Sequence, residues 1–164
     1  QLLNNSSTIR FLVLGDYLVD NTHYQMRILE KAFPHFSTRV SLIVKPHINC
    51  PVIATDYPSL NMKISMDSIS TLLKDCDVAY TSNVTSAAID AYYSGLPVIS
   101  ILSPFTLNMS PLRGIERVEF ISTADELVNS LDKVQTVSRK KTNPEDYFWL
   151  DPALPRWKKL LGNN

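Results

Sequence analysis

Between Val78 and Ile101 the chain runs through one complete strand–helix–strand unit, and that unit leaves few folds open. The apolar run Val78-Ala79-Tyr80 feeds a loop of hydroxyls and an amide, Thr81-Ser82-Asn83-Val84-Thr85-Ser86. Ser86 or Thr85 is placed to cap a helix over 86–94, and Gly95 to end it. Pro97 falls at the start of a strand over 97–101, where its missing N–H matters least. A helix joining two apolar, non-alternating strands is the crossover of a parallel sheet covered on both faces. The loop also carries chemistry. A helix start flanked by hydroxyls suits an anion such as phosphate, because its free N–H groups and dipole favour negative charge. Asp90 lies one turn in on the same face as Ser86, where a carboxylate suits a ribose diol. The combination predicts a nucleotide-type ligand.

The rest of the chain repeats the pattern. Residues 9–15 (Ile-Arg-Phe-Leu-Val-Leu-Gly) read as a buried strand ending on glycine. A polar loop follows over 16–21, and Asn21 or Thr22 is placed to cap a helix to about Phe33, with Met26, Leu29 and Phe33 as its apolar stripe. Pro34 ends it. A second strand is predicted over 39–45, short strands over 52–54 and 61–64, and a short helix over 68–73 capped by Ser65 or Asp67. A strand over 118–121 precedes Thr123-Ala124-Asp125-Glu126, which opens a helix to about Lys133 in capping-box style. The expected fold is α/β, a Rossmann-like parallel sheet with helices on both faces, occupying residues 1–137. Residues 138–164 read as a polar, basic linker and an aromatic tail with a helical end. A tail so apolar is expected to dock on this domain or a partner domain.

Composition narrows the function. Sixteen basic and 16 acidic residues cancel, which removes the electrostatic case for nucleic acid. No apolar run approaches the roughly 20 residues of a membrane span. The first residues lack the basic start and apolar core of a signal peptide, and with no initiator Met the chain reads as a piece of a longer one. Cys50 and Cys76 have neither disulfide-scaffold nor metal-ligand spacing, so two buried or semi-buried thiols in a reducing cytoplasm are expected. His23, His35 and His47 are scattered, and no metal site is predicted. The sequons at Asn5, Asn83 and Asn108 read as chance.

Ligands of open α/β sheets bind beyond the carboxyl ends of the strands. Four polar groups fall at such ends: Gly15-Asp16, Lys45-Pro46-His47, Ser82 to Ser86, and Ser103 onward. Lys45 and His47 can both meet phosphate, one as a point charge and the other as a hydrogen-bond donor. Gly15 leaves room for a ligand to approach backbone N–H groups, although neither GxGxxG nor a Walker spacing is present. Asp16 reads as a turn-former or cap. The candidate binding residues are therefore Gly15, Lys45, His47, Ser82, Thr85, Ser86 and Asp90. No arrangement for nucleophilic or carboxylate acid–base catalysis stands out.

These residues together resemble the donor-binding C-terminal half of GT-B glycosyltransferases, over roughly residues 9–133. The resemblance assigns Asp90, five residues before Gly95-Leu96-Pro97, to the donor's ribose. Lys45-Pro46-His47 is similar to the His-Pro motif of bacterial sialyl- and Kdo-transferase-like members, with the proline here preceding the histidine. Thr85-Ser86 resembles their paired-serine motif. The tail around Phe148-Trp149-Leu150-Asp151-Pro152 looks like endings in bacterial surface-carbohydrate biosynthesis proteins. The resemblance implies sugar transfer from a CMP- or UDP-linked donor without metal, in polysaccharide or lipopolysaccharide assembly. His47 would stabilise the leaving phosphate. It also implies a carbohydrate or lipid-linked acceptor, an N-terminal domain holding the base, and a cytoplasmic protein at the inner face of the membrane. The rival readings are a sugar-nucleotide epimerase of the UDP-N-acetylglucosamine 2-epimerase type and a non-catalytic interaction module of the same fold.

Overall fold

The computed structural model describes residues 8–134 and 155–162. Among these residues six parallel strands form one sheet: β1 (Ile9–Leu14), β2 (Val40–Lys45), β3 (Met62–Ile64), β4 (Val78–Ser82), β5 (Val98–Ile101) and β6 (Val118–Ile121), in the order β3-β2-β1-β4-β5-β6. The helices among the described residues are α1 (Val19–Ala32), α2 (Ile69–Asp75), α3 (Ala87–Tyr93), α4 (Ala124–Val134) and α5 (Pro155–Leu160). The Rossmann-like architecture expected from the sequence is the observed one.

Burial explains the strand order. Every residue of β4 and β5 is buried, as are Phe11 to Leu14 of β1, whereas the edge strand β3 has none buried. Strands covered on both faces need uninterrupted apolar runs, and only the central ones have them. The sheet separates two cores. Phe11, Val13, Tyr80 and Ile99 pack with Met26 and Leu29 of α1 and Leu127 and Leu131 of α4. Leu12, Ala79 and Val98 pack on the other face with Leu72 and Leu73 of α2 and Ala88 and Ala91 of α3. At β1 and β4, adjacent in the sheet, the following helices therefore lie on opposite faces. Their carboxyl ends flank the crevice where such folds take ligands.

Local signals hold in several places. The amide of Glu126 donates to Thr123 Oγ1 at 3.2 Å and the Thr123 amide donates to Glu126 Oε2 at 3.3 Å, a complete capping box. α3 ends in a Schellman turn: Gly95 stands at φ 84°, its N–H donates to Tyr92 O at 3.0 Å, and Leu96 N–H donates to Ala91 O at 3.1 Å.

Other expectations are corrected. α1 starts at Val19, ahead of Asn21 and Thr22, and its N-cap Leu18 has no capping side chain. Asn21 and Thr22 turn inward instead and bond Asp16. The cap of α2 is Ser68, which accepts from the Thr71 amide at 3.2 Å, while Ser65 and Asp67 bond each other. Residues 52–54 form no strand. The stretch following Pro51 closes into a 3-10 turn over Ala54–Asp56, and no neighbouring strand pairs with it. Cys50 and Cys76 are free and buried, as expected. Of the tail, only 155–162 is described. Trp157, Leu160 and Leu161 are exposed there, and the linker and the aromatic run 147–150 lie outside the described residues. Among the described residues no helix is long and apolar enough to cross a membrane.

Candidate functional site

At the carboxyl edge, on the side of α2 and α3, a cleft of about 440 Å³ is lined by Gly15, Lys45, His47, Met66, Thr85 and Ser86 among others. Five of the seven predicted binding residues thus meet in one place, drawn from the ends of β1 and β2 and the loop before α3. The other two do not. Asp90 is exposed on α3 and lines a neighbouring depression with Ser70, Lys74 and Tyr93, which shares Ile69 with the cleft. Ser82 is buried, and its hydroxyl donates to Asp16 Oδ2 at 2.5 Å, so it serves the interior.

The wall from β2 is built by a tight turn. Cys50 N–H donates to His47 O at 2.9 Å, and Asn49 N–H donates to His47 Nδ1 at 3.2 Å. A backbone N–H can only donate, so Nδ1 holds a lone pair and the proton of the neutral ring sits on Nε2. His47 therefore offers an N–H to a ligand beside the Lys45 ammonium. The Tyr17 ring meets the His47 ring edge-on at a centroid distance of 6.2 Å.

Gly15 has a different reason from the one its sequence position suggests. Its N–H donates to Lys45 O at 3.0 Å, and an added Cβ would lie 3.2 Å from His47 N and 3.3 Å from Pro46 Cα. The space is filled by the chain's own 45–47 backbone. Gly15 lines the cleft, yet its missing side chain primarily lets β1 and the Lys45-Pro46-His47 turn close together.

At the third wall, Thr85 Oγ1 accepts from the Ala87 amide at 3.3 Å, while the N-cap residue Ser86 makes no capping bond and is exposed. Thr85 thus does the capping, and the Ser86 hydroxyl remains available to a ligand.

Sequence reasoning read Asp16 as a turn-former, which its bond from Leu18 N–H bears out, but missed that it also gathers partners from distant loops. Asp16, fully buried, accepts from Leu18 N–H at 2.9 Å through Oδ1, and from Asn21 Nδ2 at 3.0 Å and Ser82 Oγ through Oδ2. Asn21 Oδ1 in turn accepts from Ser103 Oγ at 2.6 Å. The carboxylate sits just ahead of α1, where that helix's dipole favours an anion. A signal existed: Ser82 ends its strand and Asp16 and Ser103 lie two residues beyond theirs, but nothing in their spacing says that they point at one another. Nearby, Asn83, a sequon residue, is buried, with its Nδ2 donating to Leu107 O at 3.0 Å.

No protein-family model matches the chain, and no curated protein matches it. Solved structures do. The glycotransferase of kitacinnamycin superposes with a TM-score of 0.58 at 16% identity, over 80% of this chain and 36% of that one. The glycosyltransferase SnogD from Streptomyces nogalater gives 0.53 at 10% identity, over 82% and 41%. MurG from Acinetobacter baumannii gives 0.51 at 10% identity, over 84% and 50%. At these identities the likeness is one of fold, the Rossmann-like fold of GT-B glycosyltransferases. The chain spans between about a third and a half of the solved structures it matches.

Proposed function

We propose that the chain is the nucleotide-sugar-binding, C-terminal half of a GT-B glycosyltransferase. The observation that carries this reading is the convergence of Lys45, the Nε2–H of His47 and the Ser86 hydroxyl on one cleft at the carboxyl edge of the sheet. The fold shared with glycosyltransferases supports it.

In sugar transfer the acceptor hydroxyl attacks the anomeric carbon, the bond from that carbon to the donor phosphate breaks, and negative charge grows on the leaving phosphate. Lys45 and His47 would stabilise that charge, with Ser86 as a further donor; fixed donors in a partly enclosed site do this without reorganising. No metal is required in this scheme. A ribose extending from the cleft past Ile69 would reach Asp90, which gives that carboxylate its role. The acceptor and the base that takes its proton are assigned to a further, N-terminal domain, since the matched proteins are two to nearly three times longer than the matched part.

Within this reading a CMP- or UDP-linked donor is favoured. The Lys45-Pro46-His47 motif and the tail support a sialyl- or Kdo-transferase-like member acting in bacterial surface polysaccharide or lipopolysaccharide assembly. The acceptor would be a carbohydrate or lipid-linked one, at the cytoplasmic face of the membrane.

A thermal-shift titration with CMP, UDP and GDP tests the reading. A nucleotide at about 100 times its Kd stabilises the folded chain by about 2.7 kcal/mol. One nucleotide should do so, and His47→Ala should abolish the shift. No shift with any of the three at millimolar concentration would sink it and favour a non-catalytic interaction module.

A further inference from the structure

We propose that Asp16 is a positioning residue whose buried carboxylate clamps three loops into one unit and so holds the walls of the cleft in place. The functional half of this inference rests on the nucleotide reading above; the mechanical half does not.

The three loops leave the carboxyl ends of β1, β4 and β5, and each brings one partner inward. The β1–α1 loop supplies the Leu18 N–H and leads to Asn21. Ser82 closes β4 at the mouth of the β4–α3 loop, and Ser103 is the second residue of the β5–β6 loop. The side chains of Asp16, Asn21, Ser82 and Ser103 are at least nine-tenths buried, so water does not compete for the bonds among them. The carboxylate can only accept, and this sets the direction of every proton. Asn21 must turn its amide nitrogen to Asp16, which turns its oxygen to Ser103, whose hydroxyl must donate. One acceptor thereby orders three loops. A second tie, from Asn83 Nδ2 to Leu107 O, joins the β4–α3 loop to the β5–β6 loop directly.

The clamp reaches the cleft on two sides. Gly15, immediately before Asp16, lines it, and Tyr17, immediately after, rests against the His47 ring. On the other wall, Val84 N–H bonds Ser82 Oγ at 3.4 Å, one residue before Thr85 and two before Ser86. Without an acceptor at position 16, the Leu18 amide, the Asn21 amide and the Ser82 hydroxyl lose their partner together, and both walls lose their anchor.

The test is amide hydrogen exchange by NMR on the chain without ligand, paired with nucleotide titration at 10 °C. Asp16→Ala should speed exchange at both Leu18 and Val84 about tenfold or more, with Leu127 of α4 unchanged as a control. The milder Ser103→Ala and Ser82→Ala carry the same test should Asp16→Ala fail to fold; Ser103→Ala should speed exchange at Val84 and Leu18, not only at Phe105. Asp16→Asn should recover most of the protection, because the carboxamide can accept from Leu18 and donate to Asn21 and Ser82 once Asn21 turns over. Acceleration confined to the mutated loop, or equal loss in the Ala and Asn variants, overturns the clamp. The nucleotide that stabilises the wild type should bind about tenfold more weakly to Asp16→Ala while that variant is folded. Spread acceleration with unchanged affinity overturns the positioning role. A wild type that binds no nucleotide defeats the proposed function instead, and the exchange result still decides the clamp.

Discussion

The two sides of the sheet's carboxyl edge are made from the same materials and end in opposite conditions. On the α1 side an acid, an amide and two hydroxyls lie beyond the strands, all buried and bonded to one another around Asp16. On the α2 and α3 side a lysine, a histidine and two hydroxyls lie beyond the strands, none of them buried, around an open cleft. Both sides place polar groups at a helix start, where an anion is favoured. One start is served by the protein's own carboxylate, and the other is left open. Polar residues at strand ends therefore mark either a lock or a site, and what separates them is whether the chain supplies the partner.

Substitutions can break that contrast, the largest effect coming first. Asp16→Ala leaves two buried donors and one half-buried donor without an acceptor and should cost about 3 kcal/mol in urea unfolding, against about 0.5 kcal/mol or less for Lys45→Ala. Equal costs would erase the distinction between the two sides. Gly15→Ala forces a Cβ against the Pro46 and His47 backbone at 3.2–3.3 Å. A cost of about 1–2 kcal/mol and weaker nucleotide binding should follow together, because the same contact shapes the cleft. Lys45→Ala should leave Tm nearly unchanged and weaken nucleotide binding about tenfold, with a flatter salt dependence in calorimetry. Asp90→Asn should be the mildest, about threefold in affinity, its carboxylate lying in the next depression.

Alkali sharpens the same comparison on the buried side. Desolvation raises the Tyr80 phenol well above its ordinary value of 10.0, and its hydroxyl donates to Gln25 O at 3.2 Å. The folded state keeps its proton where the unfolded state loses it. Stability from this group is thus full below about pH 10 and falls as pH rises beyond it. Unfolding midpoints against pH should show that fall, and Tyr80→Phe should flatten it.

Local signals were legible in proportion to how local they are. The capping box at Thr123 and Glu126, the Gly95 stop and the apolar runs of β1, β4 and β5 involve neighbours within a few residues, and each holds. Choices among adjacent equivalents did not come through. Ser65, Asp67 and Ser68 are all good caps, and only the packing of α2 selects the last. The cleft was legible because the rule for parallel sheets brings Lys45, His47 and Ser86 to one edge without knowledge of side-chain directions. The Asp16 cluster was not, since its bonded partners stand up to 82 residues apart and their meeting depends on which way each turns. The same blindness affects Ser82 and Asp90, whose inward and sideways orientations no spacing reveals.

The central place of β1 has a consequence for the order in which the protein can be made. Phe11 pairs with Val78 across the sheet, and Arg10 bonds Asp77, 67 residues further along the chain. A nascent chain that has emerged only as far as α2 carries β1 joined to β2 but with its other edge bare. That edge is apolar and presents unpaired N–H and C=O groups, a template for pairing with another chain. The polypeptide thus passes through an intermediate length at which this edge is open to pairing with another chain, and a pause in translation before β4 would prolong the hazard.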